Sequence, residues 1–174
     1  MKFLDMIVNE VDMSHHRYIE VLDGLTAKQA NSFPASKIAP SIKSVTWLSW
    51  HAAREMDFQI SALKGEKPLW ITKGWKEKFN LPLPDDTEDW HHTPEQAAEV
   101  KVSDVDYLLG YLADAVKLTK DYVSNLKEAD LDEIVDKTWT PYVTRGVRVT
   151  SIIDDFNMHS GQIIYSRRLL GLAD

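Results

Sequence analysis

Asp155 and His159 stand four residues apart in "DDFNMHSGQIIYSRRLLG", residues 154 to 171, where the apolar positions repeat with helical spacing. Four steps of roughly 100° return to within about 40° of the starting direction, so the carboxylate and the imidazole project from one helix face. The same stripe carries Ile152, Phe156, Ile163 and Leu170 and would otherwise be wholly core-facing. The pair has two readings. At a helix edge it is an i, i+4 contact contributing about 0.2–0.5 kcal/mol and no chemistry. Facing inward, it is a two-point platform for one ion.

A third polar residue on an apolar stripe bears on that choice. An earlier helical segment aligns Leu48, His51, Glu55, Phe58 and Ala62 on one side. Alone, His51 reads as a hydrogen-bonded core or helix-edge residue. With Asp155 and His159 it completes a set of two imidazoles and one carboxylate, suited to a metal that keeps positions open for water or substrate. Bundle cores build such sites from different helices, whose rigidity holds the ligands in place. Burying Asp155 without a partner would be costly, and a divalent cation supplies the missing charge.

Composition excludes several alternatives. The chain of 174 residues contains no cysteine, which removes disulfides, thiolate metal ligands and a cysteine nucleophile; any thiol chemistry must use a thiol from outside. A net charge of −7 without a cluster of Lys and Arg argues against a nucleic-acid partner. The opening segment "MKFLDMIVNEVDMSHHRY" sets acidic residues within its apolar pattern and has no small-residue cleavage stretch. It is therefore read as neither a signal peptide nor a membrane span, and a cytoplasmic location is expected.

Four amphipathic segments must position the three polar residues. The first, roughly Lys2 to Leu25, aligns Leu4, Val8, Val11, His15, Tyr18 and Leu22; "LTAKQANSFP" follows, with Thr26 and Gln29 as a capping box. The second runs roughly from Ser41 to Lys64, with Lys43, Asp57 and Ser61 expected to point away from the core, and ends at a C-cap glycine, Gly65, before Pro68. About thirty residues of irregular character with three Trp come next, closing on Thr93, Pro94 and Gln96, which fit the start of a short helical turn. The third helix, roughly Ser103 to Lys127, carries Leu108, Leu112, Ala115 and Val116. "DKTWTPYVTRGVRV" reads as a short extended pair before Ser151 caps the fourth helix. Residues 1–174 thus read as one all-α domain, a four-helix bundle with long crossover connections.

"TWLSWHAAREMDF" and "FNMHSGQIIYSRRLLG" resemble the DinB-like superfamily, which includes the mycothiol-dependent maleylpyruvate isomerases and the bacillithiol transferases. Its members place one His in the second helix and, in the fourth, a His followed by a small residue, Gly and often Gln. Four residues before that His, DinB members proper usually have another His and the mycothiol-dependent branch usually Glu. Asp155 departs from both and is nearer the second in charge, with a carboxylate one methylene shorter. The resemblance implies a bundle with a long crossover, a homodimer, and a divalent metal, zinc or nickel, held by His51, Asp155 and His159. It also implies a low-molecular-weight thiol that meets the metal and attacks an electrophile. The expected activity is thus a metal-dependent thiol transferase or isomerase; the alternative is a metal-binding stress or interaction protein without turnover.

Further residues enter as candidates. Glu55, one turn after His51, could orient it or act as a base, and equally could be a plain helix-edge carboxylate. His15 could support the metal or be a core histidine. His91 and His92, following Trp90, look like a metal-binding doublet in the long loop, although adjacent residues seldom converge on one ion. Arg145 and Arg148, with Arg167 and Arg168, could contact an acidic thiol or substrate, though arginines near helix ends are common without function. Trp47 and Trp75 are the indoles to watch near a pocket.

Overall fold

The computed structural model describes residues 3–172. Four long helices, α1 (Phe3–Leu22), α3 (Val45–Lys64), α7 (Asp106–Ser124) and α8 (Arg145–Leu169), form the bundle. Short helices occupy the connections: α2 (Ala27–Ala30), α4 (Leu69–Thr72), α5 (Trp75–Phe79) and α6 (Pro94–Glu99). Strands β1 (Ile134–Asp136) and β2 (Val143–Thr144) pair antiparallel before α8.

The capping signals hold. Thr26 and Gln29 form a reciprocal box at α2, as Thr93 and Gln96 do at α6 behind Pro94. Ser44 caps α3 by accepting from the Trp47 amide, and Gly65 closes that helix at φ 69°, a left-handed conformation that favours glycine. The fourth helix, however, starts six residues before Ser151. Thr144 is its cap, accepting from the Val147 amide, while Ser151 lies inside and bonds back to the Arg148 carbonyl. The expected extended pair is present, with Val143 and Thr144 paired to Ile134–Asp136, but it ends at Thr144; Val147 and Val149 lie in the helix, Val149 buried and Val147 exposed.

α7 and α8 each pack on both α1 and α3, so the order around the bundle is α1, α7, α3, α8. Directions follow from the pairings. Tyr18 donates to the Phe156 carbonyl and Arg167 to the carbonyls of Val21 and Asp23, which sets α1 and α8 parallel. Gln59 meets Arg148 while the Lys43 carbonyl meets Ser166, which sets α3 and α8 antiparallel. Asp57 accepts from Tyr111, on the parallel neighbour α7. Parallel neighbours joined in sequence need a long crossover, and residues 65–105 provide it.

The core is built from Tyr18, Leu22, Trp50, Met56, Ile60, Leu108, Tyr111, Leu112, Ile152, Phe156 and Ile163, all buried. Two residues expected outside are within it. Asp57 and Ser61 are buried, and the Asp57 carboxylate accepts from the backbone amides of Leu69 and Trp70, at 2.7 and 2.8 Å, and from the Tyr111 hydroxyl at 2.9 Å. Helical periodicity assigns polar residues outward; here the amides at the start of α4, which lack partners inside so short a helix, draw the carboxylate in.

Candidate metal centre

His51 reaches the site from the middle of α3, and Asp155 and His159 from successive turns of α8. Both histidines are buried, while the Asp155 side chain is 27% exposed. His159 Nε2 lies 3.3 Å from Asp155 Oδ1, and His51 Nε2 lies 3.8 Å from Asp155 Oδ2. The imidazoles meet edge to face, with ring centres 4.7 Å apart at 88°. Trp47, one turn before His51, stacks on its ring at 4.6 Å and fixes its plane.

The opposite ring nitrogens face oxygen acceptors: that of His159 within hydrogen-bonding geometry, that of His51 at ion-pair distance only, its angle lying outside hydrogen-bond geometry. His159 Nδ1 is 2.8 Å from the Gln162 side-chain oxygen, and His51 Nδ1 is 3.1 Å from Asp89 Oδ2. Both neighbours are acceptors, so they favour the hydrogen on Nδ1 and leave each Nε2 turned toward Asp155. Asp155 Oδ2 is buried with no hydrogen-bond partner. Ligands of one ion at about 2.0–2.2 Å sit roughly 3–4 Å from each other, and the three donor atoms here lie within 4.8 Å of one another. The residues therefore fit a divalent cation: two lone pairs and an unpartnered carboxylate oxygen share one small space.

Electrostatics describe what stands in for that charge in the metal-free chain. Burial lowers the His51 imidazole, but hydrogen bonding and charge from Asp155 and Asp89 outweigh it and push it up to about 9. Burial raises the Asp155 carboxyl, and His159 and His51 more than reverse this, holding it well below the usual carboxylate range. A proton on His51 thus balances Asp155 when no metal does.

A second acidic group lies on the far side of His51. Asp89 comes from a 3₁₀ turn, Asp89–His91, in the crossover, and is buried at 1% exposure. Neither of its oxygens receives a well-formed hydrogen bond; its charge is balanced by His51 and by Arg54, whose Nε lies 3.5 Å away. Arg54 in turn donates to the Asp85 and Thr87 carbonyls, tying the loop to α3. Glu55 lies beside them, pushed up to about 7 by burial first and the Asp89 charge second. Nothing in the sequence marked Asp89, which sits in a loop without periodicity.

A cleft of about 380 Å³ opens next to this group, walled by Glu55, Asp89, Phe58, Leu63, Trp90 and Arg148 among others. The three converging residues do not line it. Arg148 is held there by Gln59 and Asp136, at 3.1 and 2.9 Å, whereas Arg145 bonds to Tyr122 and Glu133 away from the cleft. His15 sits among Asp12, His16 and Lys120 on the α1 and α7 side, with no charge neighbour in the cluster. The loop doublet does not assemble: His91 is exposed, and His92 uses both ring nitrogens, on the Trp47 indole and the Thr87 hydroxyl. Trp75 packs against Phe79 and Tyr111, remote from the site, and Arg167 closes the end of α1.

A four-helix bundle carrying two buried histidines and an aspartate that could hold a metal ion is the class that fold and site define. The chain belongs to the DinB superfamily, whose family model matches residues 10–163. It is similar to a structure described as the crystal structure of the conserved protein of locus from Enterococcus faecalis, at 53% identity over 98% of each chain and a TM-score of 0.92. No curated protein matches this chain. Among the described residues, no helix is long and apolar enough to cross a membrane.

Proposed function

We propose that this chain is a divalent-metal-dependent enzyme that uses a low-molecular-weight thiol in a transferase or isomerase reaction, with His51, Asp155 and His159 holding zinc or nickel. The observation that carries the reading is the convergence of both Nε2 atoms on a carboxylate whose Oδ2 has no other partner. Asp155 is partly exposed although its Oδ2 is buried, so solvent comes up to one side of the carboxylate. When bound, the ion supplies the positive charge that ionises a thiol near neutral pH. The chain has no cysteine of its own, so the thiol and its electrophile come from outside.

The protein's own residues divide the remaining work. Trp47 holds the His51 ring in plane. Glu55, pushed up to about 7 and on the cleft wall, suits the transfer of a proton to or from a molecule bound there. Arg148, already oriented by Gln59 and Asp136, offers a cation for an acidic thiol or substrate. A cytoplasmic homodimer belongs to the same proposal, on the resemblance alone.

A second reading, metal binding without turnover, is favoured by one fact: the cleft is lined by Glu55 and Asp89 but by none of the three ligands. Metal content of protein purified without a chelating column separates these ideas from a plain bundle. We expect about one ion per wild-type chain and none in His159→Ala; a metal-free wild type would sink both readings. After Co(II) substitution, a visible-spectrum change on adding a thiol supports the enzyme, and indifference to every thiol tried supports the structural site.

A further inference from the structure

The ligand set leaves Asp89 unexplained. It is a carboxylate at 1% exposure, brought by a loop to the side of His51 that faces away from Asp155 and His159. Such a placement is costly for a carboxylate unless its charge is used. Three facts say how it is used. Asp89 Oδ2 lies 3.1 Å from His51 Nδ1, an ion-pair contact outside hydrogen-bond geometry, and neither atom has a hydrogen-bond partner. Arg54, itself buried, sits 3.5 Å from the same oxygen and is fastened to the Asp85 and Thr87 carbonyls, so the carboxylate is presented at a fixed place. Trp47 covers one face of the His51 ring, leaving in-plane orientation as the freedom still to be set.

We propose that Asp89 is a positioning residue for the metal centre: its carboxylate keeps the proton of His51 on Nδ1 and thereby commits the Nε2 lone pair to the ion. The inference rests on the metal reading above. The charged acceptor makes His51 a stronger donor to a cation, as a carboxylate behind a metal-bound imidazole does generally. His159 receives the neutral counterpart from Gln162 at 2.8 Å. The two histidines are therefore unequal, and His51 is the one strengthened by charge. Asp89, Glu55 and His51 also cluster closely enough to suggest a separate cation site. The Arg54 guanidinium already occupies the cationic role beside Asp89.

The test compares chelator-stripped wild-type chain with Asp89→Asn, which keeps the size and removes the charge. Zn(II) affinity is expected to fall about 10–100-fold, while Co(II)-loaded Asp89→Asn keeps the visible band intensity of wild type, because no ligand is lost. Nitrogen-15 spectra of the zinc-loaded wild type should show His51 protonated on Nδ1 and metal-bound through Nε2. That measurement needs no substitution and stands if Asp89→Asn fails to fold. Wild-type affinity in Asp89→Asn, metal on Nδ1, or two ions per chain falling to one in the variant would each overturn the proposal while leaving metal binding intact. Absence of zinc binding in the wild type would overturn the metal reading and this inference together.

Discussion

At the scale of single residues, the site is an arrangement in which one proton and, on the proposed reading, one divalent ion compete for the same charge. In the metal-free chain the His51 imidazolium lies between Asp155 and Asp89, and its pKa is raised to about 9. A raised value means the contribution to stability is fully present below the unfolded value near 6.5 and is lost as pH climbs through about 9. Asp155, held below the usual range, stays ionised across that window. Metal requires the neutral ring, so its binding releases the proton. The rise in Tm on adding Zn(II) should therefore be larger at pH 9 than at pH 6.5, measured by thermal melts of stripped and loaded protein. A zinc shift that shrinks with pH over this interval would contradict the assignment of His51. The converging residues were legible because an i, i+4 pair on an apolar stripe is a local pattern. Asp89 was not, since its meaning depends on a loop reaching an atom 38 positions earlier in the chain.

Among elements, helices were easier to read than their ends or their buried polar residues. Capping boxes at Thr26 and Thr93 and the glycine stop at Gly65 are written in consecutive residues and appear where expected. The start of α8 at Arg145 was hidden by Val147 and Val149, β-branched residues that follow the strand residues Val143 and Thr144 directly and nonetheless lie in the helix. Asp57 was hidden because its partners, the first amides of α4 and Tyr111, become neighbours only in the folded chain. Asp57→Ala leaves those buried donors unpaired and should cost about 3 kcal/mol, lowering Tm by roughly 6–12 °C. The check is a melt followed by circular dichroism; a Tm within a degree of wild type would show that water replaces the carboxylate at no cost.

For the whole molecule, helix number and the long connections announced a bundle, but not the order of helices around it, which rests on contacts between distant segments. The candidate metal cluster adjoins only part of the apolar core: Leu108, Tyr111 and Leu112 on α7 are buried and bring no residue to it. Removing the ion should therefore weaken the fold without dissolving it. A ligand present at a thousandfold above its Kd stabilises by about 4 kcal/mol, so chelation should lower Tm by roughly 8–16 °C while the helical signal at 25 °C is retained. Collapse of that signal on adding chelator would mean that the apolar core cannot hold the bundle alone.

The polar contacts between α1 and α8 act as an indexing pin. Tyr18 grips the Phe156 carbonyl and Ser14 the Asn157 side chain, at positions lying between Asp155 and His159 in the chain. A turn of one residue would swing every side chain by roughly 100° and carry the apolar stripe out of the core, so packing sets the coarse azimuth of α8 and these polar contacts refine it. By refining the azimuth of α8, the first helix determines where Asp155 and His159 aim, although it brings no residue to the cluster itself.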